Sequence, residues 1–273
     1  MPVTVNTNLF SINAQKNLAR TQGDLTTAMQ RLSSGLRINM AKDDAAGLAV
    51  ATRMDAQARG LVVAERNAND GISLLQVADN ALQSMSGVLQ RMRELAVQSA
   101  NGTYSNADRA LMDTEFGELN AELDRIATQA SFNGLNIVGG NAGTFTFQVG
   151  ANAGETIAVT LSDARTINDG PPFVAGIGTV TDANNAITAI DTALNTLNTQ
   201  LATVGASQSR LDNTISNLRA MQEAQRASFS RIMDADFAAE TARMTRAQIL
   251  QQAGVSTLAQ ANASPQLALS LLQ

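Results

Sequence analysis

The sequence predicts a mainly α fold: a long antiparallel helical bundle with a terminal coiled coil and a small β-hairpin insert. Three observations point there. The apolar content is carried by aliphatic residues and Met, with 3% aromatic residues and no Trp, which is the composition of long helices. Apolar residues recur at three-four spacing in both halves of the chain, the period of a helix face. Between the halves, composition shifts to Gly, Thr, Asn, Val and Phe with period-two alternation, the signature of strands.

The first helix is expected after Asn8, with a seam of Leu18, Gln22, Leu25, Met29, Leu32 and Leu36. This is a narrow coiled-coil stripe. Asp43 or Asp44 can cap the next helix. A second helix is expected from about residue 61 to Ser99. Its seam reads Ala68, Gly71, Leu75, Ala78, Leu82, Met85, Leu89, Met92 and Ala96, beside a second row of Leu74, Ala81, Val88 and Leu95. Two adjacent rows require contact with more than one helix. After a turn at Asn101-Gly102, a third helix over 106–129 buries Met112, Phe116, Leu119, Leu123 and Ile126. The short connection makes it antiparallel to the second.

Phe145–Val149 and Ile157–Leu161 alternate around Ala151–Gly154 and predict a hairpin. A helix near 182 then carries the longest seam: Leu194, Leu197, Leu201, Val204, Gln208, Leu211, Ile215, Leu218, Gln222, Gln225, Phe229 and Ile232. At 1.5 Å per residue it spans ~70 Å, against ~40 Å for a compact domain of this mass. Asp234, Asp236 and Glu240 open a last helix, where acidic groups suit the N-terminus. The plan is palindromic, with 1–43 and 231–273 as a terminal coiled-coil domain. Residues 44–180 and 181–230 form a helical rod that includes a β-hairpin region of about 131–170. The insert is expected farthest from the two termini.

The last stretch is unusual. From Ala247 to Gln273 there is no Asp, Glu, Lys or Arg. A helix on the surface of a soluble monomer normally has a charged face, and this one is too rich in Gln and Asn to span a bilayer. Burial against other copies of the chain is expected, and the regular Leu spacing argues against a frayed tail.

Other functions are excluded by composition. The chain has no His and no Cys, which removes the commonest general base, metal ligand and nucleophilic thiol. The Asp43–Asp44 and Asp234–Asp236 pairs read as caps and local charge pairs, not as metal ligands. A net charge of −5 with no basic run argues against nucleic acid. No catalytic, cofactor or metal residues are expected. Without a signal peptide the chain reads as cytosolic.

The motifs change that last expectation. RLSSGLRINMAKDDAAGLAV (31–50), ERNANDGISLLQVADNAL (65–82), QRMRELAVQSANGTYS (90–105), SFNGLNIVGG (131–140), RIMDADFAAETARMTRAQILQQAGVSTLAQAN (231–262) and the final LSLLQ resemble those of bacterial flagellins over nearly the whole chain. Met40 and Phe237 depart from the pattern, and the variable outer region is almost absent. The resemblance implies a subunit that self-assembles into the extracellular flagellar filament for motility. Export would be unfolded and uncleaved through the flagellar type III route, with an export chaperone and a filament cap as partners. Filament-core assembly is expected to use Leu18, Leu25, Leu32, Leu36, Ile249, Leu250, Leu258, Leu267 and Leu271. Arg91, Leu95 and Glu115 match positions through which flagellins meet the flagellin-sensing Toll-like receptor, as an exposed Arg and Leu beside a Glu on the antiparallel neighbour. The alternatives are a hook–filament junction protein and a soluble helical binding module.

Overall fold

The computed structural model describes residues 7–140, 142–167 and 176–270, with side chains omitted from 264 onward. The fold is mainly helical, with small antiparallel hairpins between its two halves. The chain divides into two compact units, one of residues 1–56 with 224–273 and one of residues 57–223.

The first unit is built on helices α1 (Leu9–Ser34) and α5 (Phe237–Ser270). Asn8 caps α1 by accepting from the Ser11 amide. Gly35 ends it in the left-handed region, at φ 72°, a conformation that costs a residue with a Cβ. The two helices run antiparallel: Asn8 Nδ2 donates to the Ala261 carbonyl at 2.7 Å, and Arg31 meets Glu240 at 3.2 Å at the opposite end. The same direction continues past the helix ends, where Leu36 bridges Asp234 and the Arg37 amide donates to the Met233 carbonyl.

The seam of this pair differs from the expected one. Ser11, Ala14, Leu18, Thr21, Leu25, Ala28 and Leu32 form the covered row of α1. Thr21 and Ala28 take the places expected for Gln22 and Met29, which are exposed. On α5 the covered row is Glu240, Met244, Ala247, Gln251, Gly254, Leu258 and Ala261. Small residues win because they let the backbones approach: a Cβ added at Gly254 would lie 3.3 Å from a Leu18 methyl.

A satellite core of Ile38, Ala51 and Met233, flanked by Leu36, Leu48, Phe229 and Ile232, closes this unit. Asp44 caps helix α2 by accepting from the Gly47 amide, so α2 (Ala45–Ser99) starts well before the expected residue 61. Asp43 accepts from the Asn39 and Met40 amides. Those bonds hold its carboxyl below its ordinary pKa.

The second unit packs α2 against α3 (Asn106–Gln129) and α4 (Val180–Met233). The whole expected α2 seam is buried, as its spacing requires. On α4 the buried line runs through Ala183, Ala186, Ile190, Ala193, Leu197, Gln200, Val204, Ser207 and Leu211. Ala193 and Gln200 take the places expected for Leu194 and Leu201, which are only half-buried. The ion pairs Arg93–Asp191 and Glu65–Arg219, each at 2.7 Å, set the antiparallel register of α2 and α4.

The insert holds two hairpins. β1 (Ser131–Phe132) and β2 (Leu135–Asn136) turn at Asn133-Gly134, both at positive φ, as a two-residue hairpin turn demands. β3 (Thr144–Gln148) and β4 (Thr156–Thr160) pair antiparallel, from Thr144↔Thr160 to Gln148↔Thr156. The larger hairpin does not sit beyond the end of α2. It lies alongside, with Ala151 against Gly60 and Phe147 against Gly71. Asn67 donates to the Gln148 carbonyl at 3.0 Å. Glycines on α2 open a bed into which the strands fold back.

Candidate assembly and recognition surfaces

The seam between α1 and α5 accounts for few of their apolar residues. Leu9, Phe10, Ile12 and Met29 on α1 are exposed, as are Phe237, Ile249, Leu250 and Val255 on α5. Counting heptads from the covered rows, Phe10, Met29, Leu250 and Val255 flank the seam, while Leu9, Ile12 and Ile249 point away from it. A shallow groove along α5 is lined by Phe237, Ala238, Thr241, Ala242, Thr245, Arg246, Ile249 and Leu250. Within the pair itself, only Ser11, Ala28, Glu240 and Ala247 among the described residues of α1 and α5 are fully buried. Apolar surface is thus left over on both helices. A monomer normally avoids such faces.

The residues expected to serve assembly therefore fall into two groups. Leu18, Leu25, Leu32 and Leu258 lie on the covered rows, and Leu36 packs in the satellite core. Ile249 points away from the seam and Leu250 flanks it, and both are exposed. The side chain of Leu267 and the whole of Leu271 lie outside the described residues.

One charged cluster crosses this seam. Glu240, only 5% exposed, meets Arg31 at 3.2 Å and Arg243 at 2.9 Å. Nearly buried carboxylates need such partners. The cluster fixes one end of the α1–α5 register, as the Asn8–Ala261 bond fixes the other.

The expected recognition residues lie on α2 and α3. Arg91 donates to Glu115 from Nη2 at 2.8 Å and from Nε at 3.0 Å, and to Glu94 at 3.1 Å. The Glu115 carboxylate, then Glu94, pushes the Arg91 guanidinium further toward its charged form. Both ends of the Arg91–Glu115 pair are about half exposed. Leu95 is not: at 2% exposure it belongs to the core of the second unit. The expectation of an exposed Leu beside Arg91 is corrected, because Leu95 lies on the second apolar row of α2 and packs into that core. The exposed apolar residue on this side is Leu111, 74% exposed and one turn before Glu115 on α3.

Sequence reasoning also missed Arg109. It is 5% exposed and donates to the carbonyls of Ser99, Asn101 and Tyr104 at 2.9, 2.8 and 2.7 Å. A cation here satisfies the carbonyls left free where α2 ends. Ser105 and Asp108 form a capping box at the start of α3. Asp108 is held below its ordinary pKa by Ser105. Among the described residues no group of three or more His, Cys, Asp or Glu could hold a metal ion, and no helix is long and apolar enough to cross a membrane.

Residues 5–142 match the family model of the bacterial flagellin N-terminal helical region, and residues 187–272 that of the C-terminal helical region. The chain belongs to the bacterial flagellin family. It is 44% identical over 270 residues to the flagellin of Halalkalibacterium halodurans, covering 98% of this chain and 99% of that one. It is 42% identical over 284 residues to the flagellar filament 33 kDa core protein of Treponema phagedenis, with 98% and 99% covered. Among solved structures it resembles the crystal structure of Bacillus cereus flagellin, with TM-score 0.51, 32% identity, and 56% of this chain and 88% of that chain covered. As a flagellin homologue the chain is a structural protein. The two family models fall on its two helical halves, and the stretch between their matches, residues 143–186, contains the larger hairpin.

Proposed function

We infer that this flagellin is the subunit of an extracellular bacterial filament, and that its terminal helices complete their packing only against other copies. What carries the reading is the apolar surface left on α1 and α5 once they have paired with each other. Full-length similarity to proteins named as flagellins and as a filament core protein supports it over a hook–filament junction role. Copies related by a non-closing rotation build an open helical polymer. Export through a flagellar type III route, with a chaperone and a cap as partners, accords with the same family membership.

The test is seeded elongation of Ile249→Asp. Ile249 points away from the α1–α5 seam, so the monomer should keep its helical content. A carboxylate placed in a buried apolar contact should slow elongation at least about tenfold. Elongation at the wild-type rate would refute the assignment of this face.

Recognition by the flagellin-sensing Toll-like receptor is a second part of the proposal. Its contact surface is Arg91, Glu115 and the neighbouring Leu111, with Leu95 acting from beneath by holding α2 against α3. In a receptor reporter assay, Arg91→Ala should lose signalling with the fold intact, whereas Leu95→Ala should lose signalling and stability together. Full signalling by a correctly folded Arg91→Ala protein would reject this surface.

A further inference from the structure

We propose that Met29 is an oxidation-sensitive control point of assembly: sulfoxide formation on its side chain in the free subunit blocks addition to the polymer. The proposal rests on the reading that the outer surface of α1 and α5 takes another copy of this chain. Met29 is 54% exposed and flanks the covered row of α1, one residue from buried Ala28. Its thioether is therefore open to solvent in the subunit, while its place beside the seam puts it against a neighbouring copy after assembly.

The other methionines provide the contrast. Met85, Met92, Met112 and Met233 are buried, and Met54 and Met244 are half-buried. Met40 and Met221 are exposed but belong to the loop before α2 and to α4, and not to the α1–α5 rows. Among the described residues, exposure to an oxidant selects three methionines, and position on the assembly face selects one of them.

The chemistry needs only a peroxide. A sulfur lone pair attacks one peroxide oxygen and the O–O bond breaks. That oxygen stays on sulfur, and the other leaves with its hydrogen as hydroxide, which takes the remaining proton and becomes water. Sulfur loses two electrons and the peroxide gains them. The product replaces a flexible apolar side chain by a polar, chiral one. Drawing the S=O group out of water into a closed contact costs its hydration, which weakens association.

The experiment treats full-length subunit with hydrogen peroxide, maps sulfoxides by peptide mass spectrometry and measures seeded elongation. Met29, Met40 and Met221 should oxidise before the buried methionines, and Met29 should be shielded in preformed polymer. Elongation by oxidised wild-type protein should fall about tenfold or more. Met29→Leu should resist the same treatment, while Met221→Leu should not. Methionine sulfoxide reductase should restore elongation in step with the loss of sulfoxide at Met29, an arm that decides the matter even if Met29→Leu elongates poorly untreated. Equal loss in wild type and Met29→Leu, recovery that tracks another methionine, or unchanged elongation with Met29 fully oxidised would overturn the proposal. Untreated wild-type subunit that fails to elongate on seeds would instead remove the assembly reading on which it rests.

Discussion

Arg109 places a full positive charge inside the second unit, and three backbone carbonyls are arranged to receive it. Truncating it removes the donor of all three, and the Ser99 carbonyl is then buried without that partner. Arg109→Met should cost about 1.5–3 kcal/mol in urea unfolding, the range for hydrogen bonds to a charged group. Gln200 is the converse case. Its side-chain amide nitrogen is buried without a hydrogen-bond partner in the core line of α4. Gln200→Leu should therefore stabilise the fold by about 1 kcal/mol, read from the same unfolding curves. Among the carboxylates, Asp43, Asp108, Asp163 and Asp191 are all held below their ordinary pKa. Asp43 is held there chiefly by backbone amides, Asp108 by Ser105, Asp163 by Arg165 and Asp191 by Arg93. A depressed folded-state pKa gives stability that is present above the unfolded value and lost as pH falls through the folded one. The thermal midpoint should thus stay level from neutral pH down to about pH 5 and fall below about pH 4. A midpoint that rises on acidification would contradict these assignments.

The helices differ in how plainly their sequence declares them. The α2 seam was legible residue by residue, because a wide apolar face has one arrangement that buries it. Those of α1 and α4 were legible only in period. Gln22 and Met29, or Leu194 and Leu201, fit a three-four repeat as well as Thr21 and Ala28, or Ala193 and Gln200. Periodicity weights the larger apolar residue, whereas close backbone approach selects the smaller one. The alternation around Ala151–Gly154 announced the larger hairpin, while the bed of glycines on α2 that draws it back carried no such signal, and the smaller hairpin at Asn133-Gly134 was not read from the sequence. The buried role of Arg109 leaves no mark in a hydrophobic pattern, since its partners are backbone carbonyls. Nor could spacing alone separate Leu95, which is buried in the core, from Arg91 one turn earlier, which is half exposed and pairs with Glu115. Two glycines test these packing arguments in opposite directions. Gly205 on α4 has open space where a Cβ would stand, so Gly205→Ala should gain about 0.5–1 kcal/mol from helix propensity. A Cβ at Gly71 would meet the Phe147 ring at 3.1 Å and a Leu211 methyl at 3.3 Å. Gly71→Val should cost about 1–3 kcal/mol by overpacking and loosen the hairpin from α2. Both are readable from thermal unfolding.

For the molecule as a whole, the two units divide the work of stability and of association. The second unit has a continuous core of three helices and the larger hairpin. The helices of the first unit hold each other by a thin seam, one ion cluster and one bond near the far end. A pair this sparsely buried is marginal by itself, since helix stability in water comes mostly from packing of an apolar face. Association supplies what the subunit lacks and raises apparent stability by mass action. Hydrogen–deuterium exchange on dilute subunit and on polymer tests this most directly. In the subunit, amides of α1 and of Phe237–Ala263 should exchange at least about a hundredfold faster than those of Leu75–Ala96, and in the polymer they should become as slow. Protection of α1 and α5 equal to that of the α2 core in dilute, unassembled subunit would contradict the account.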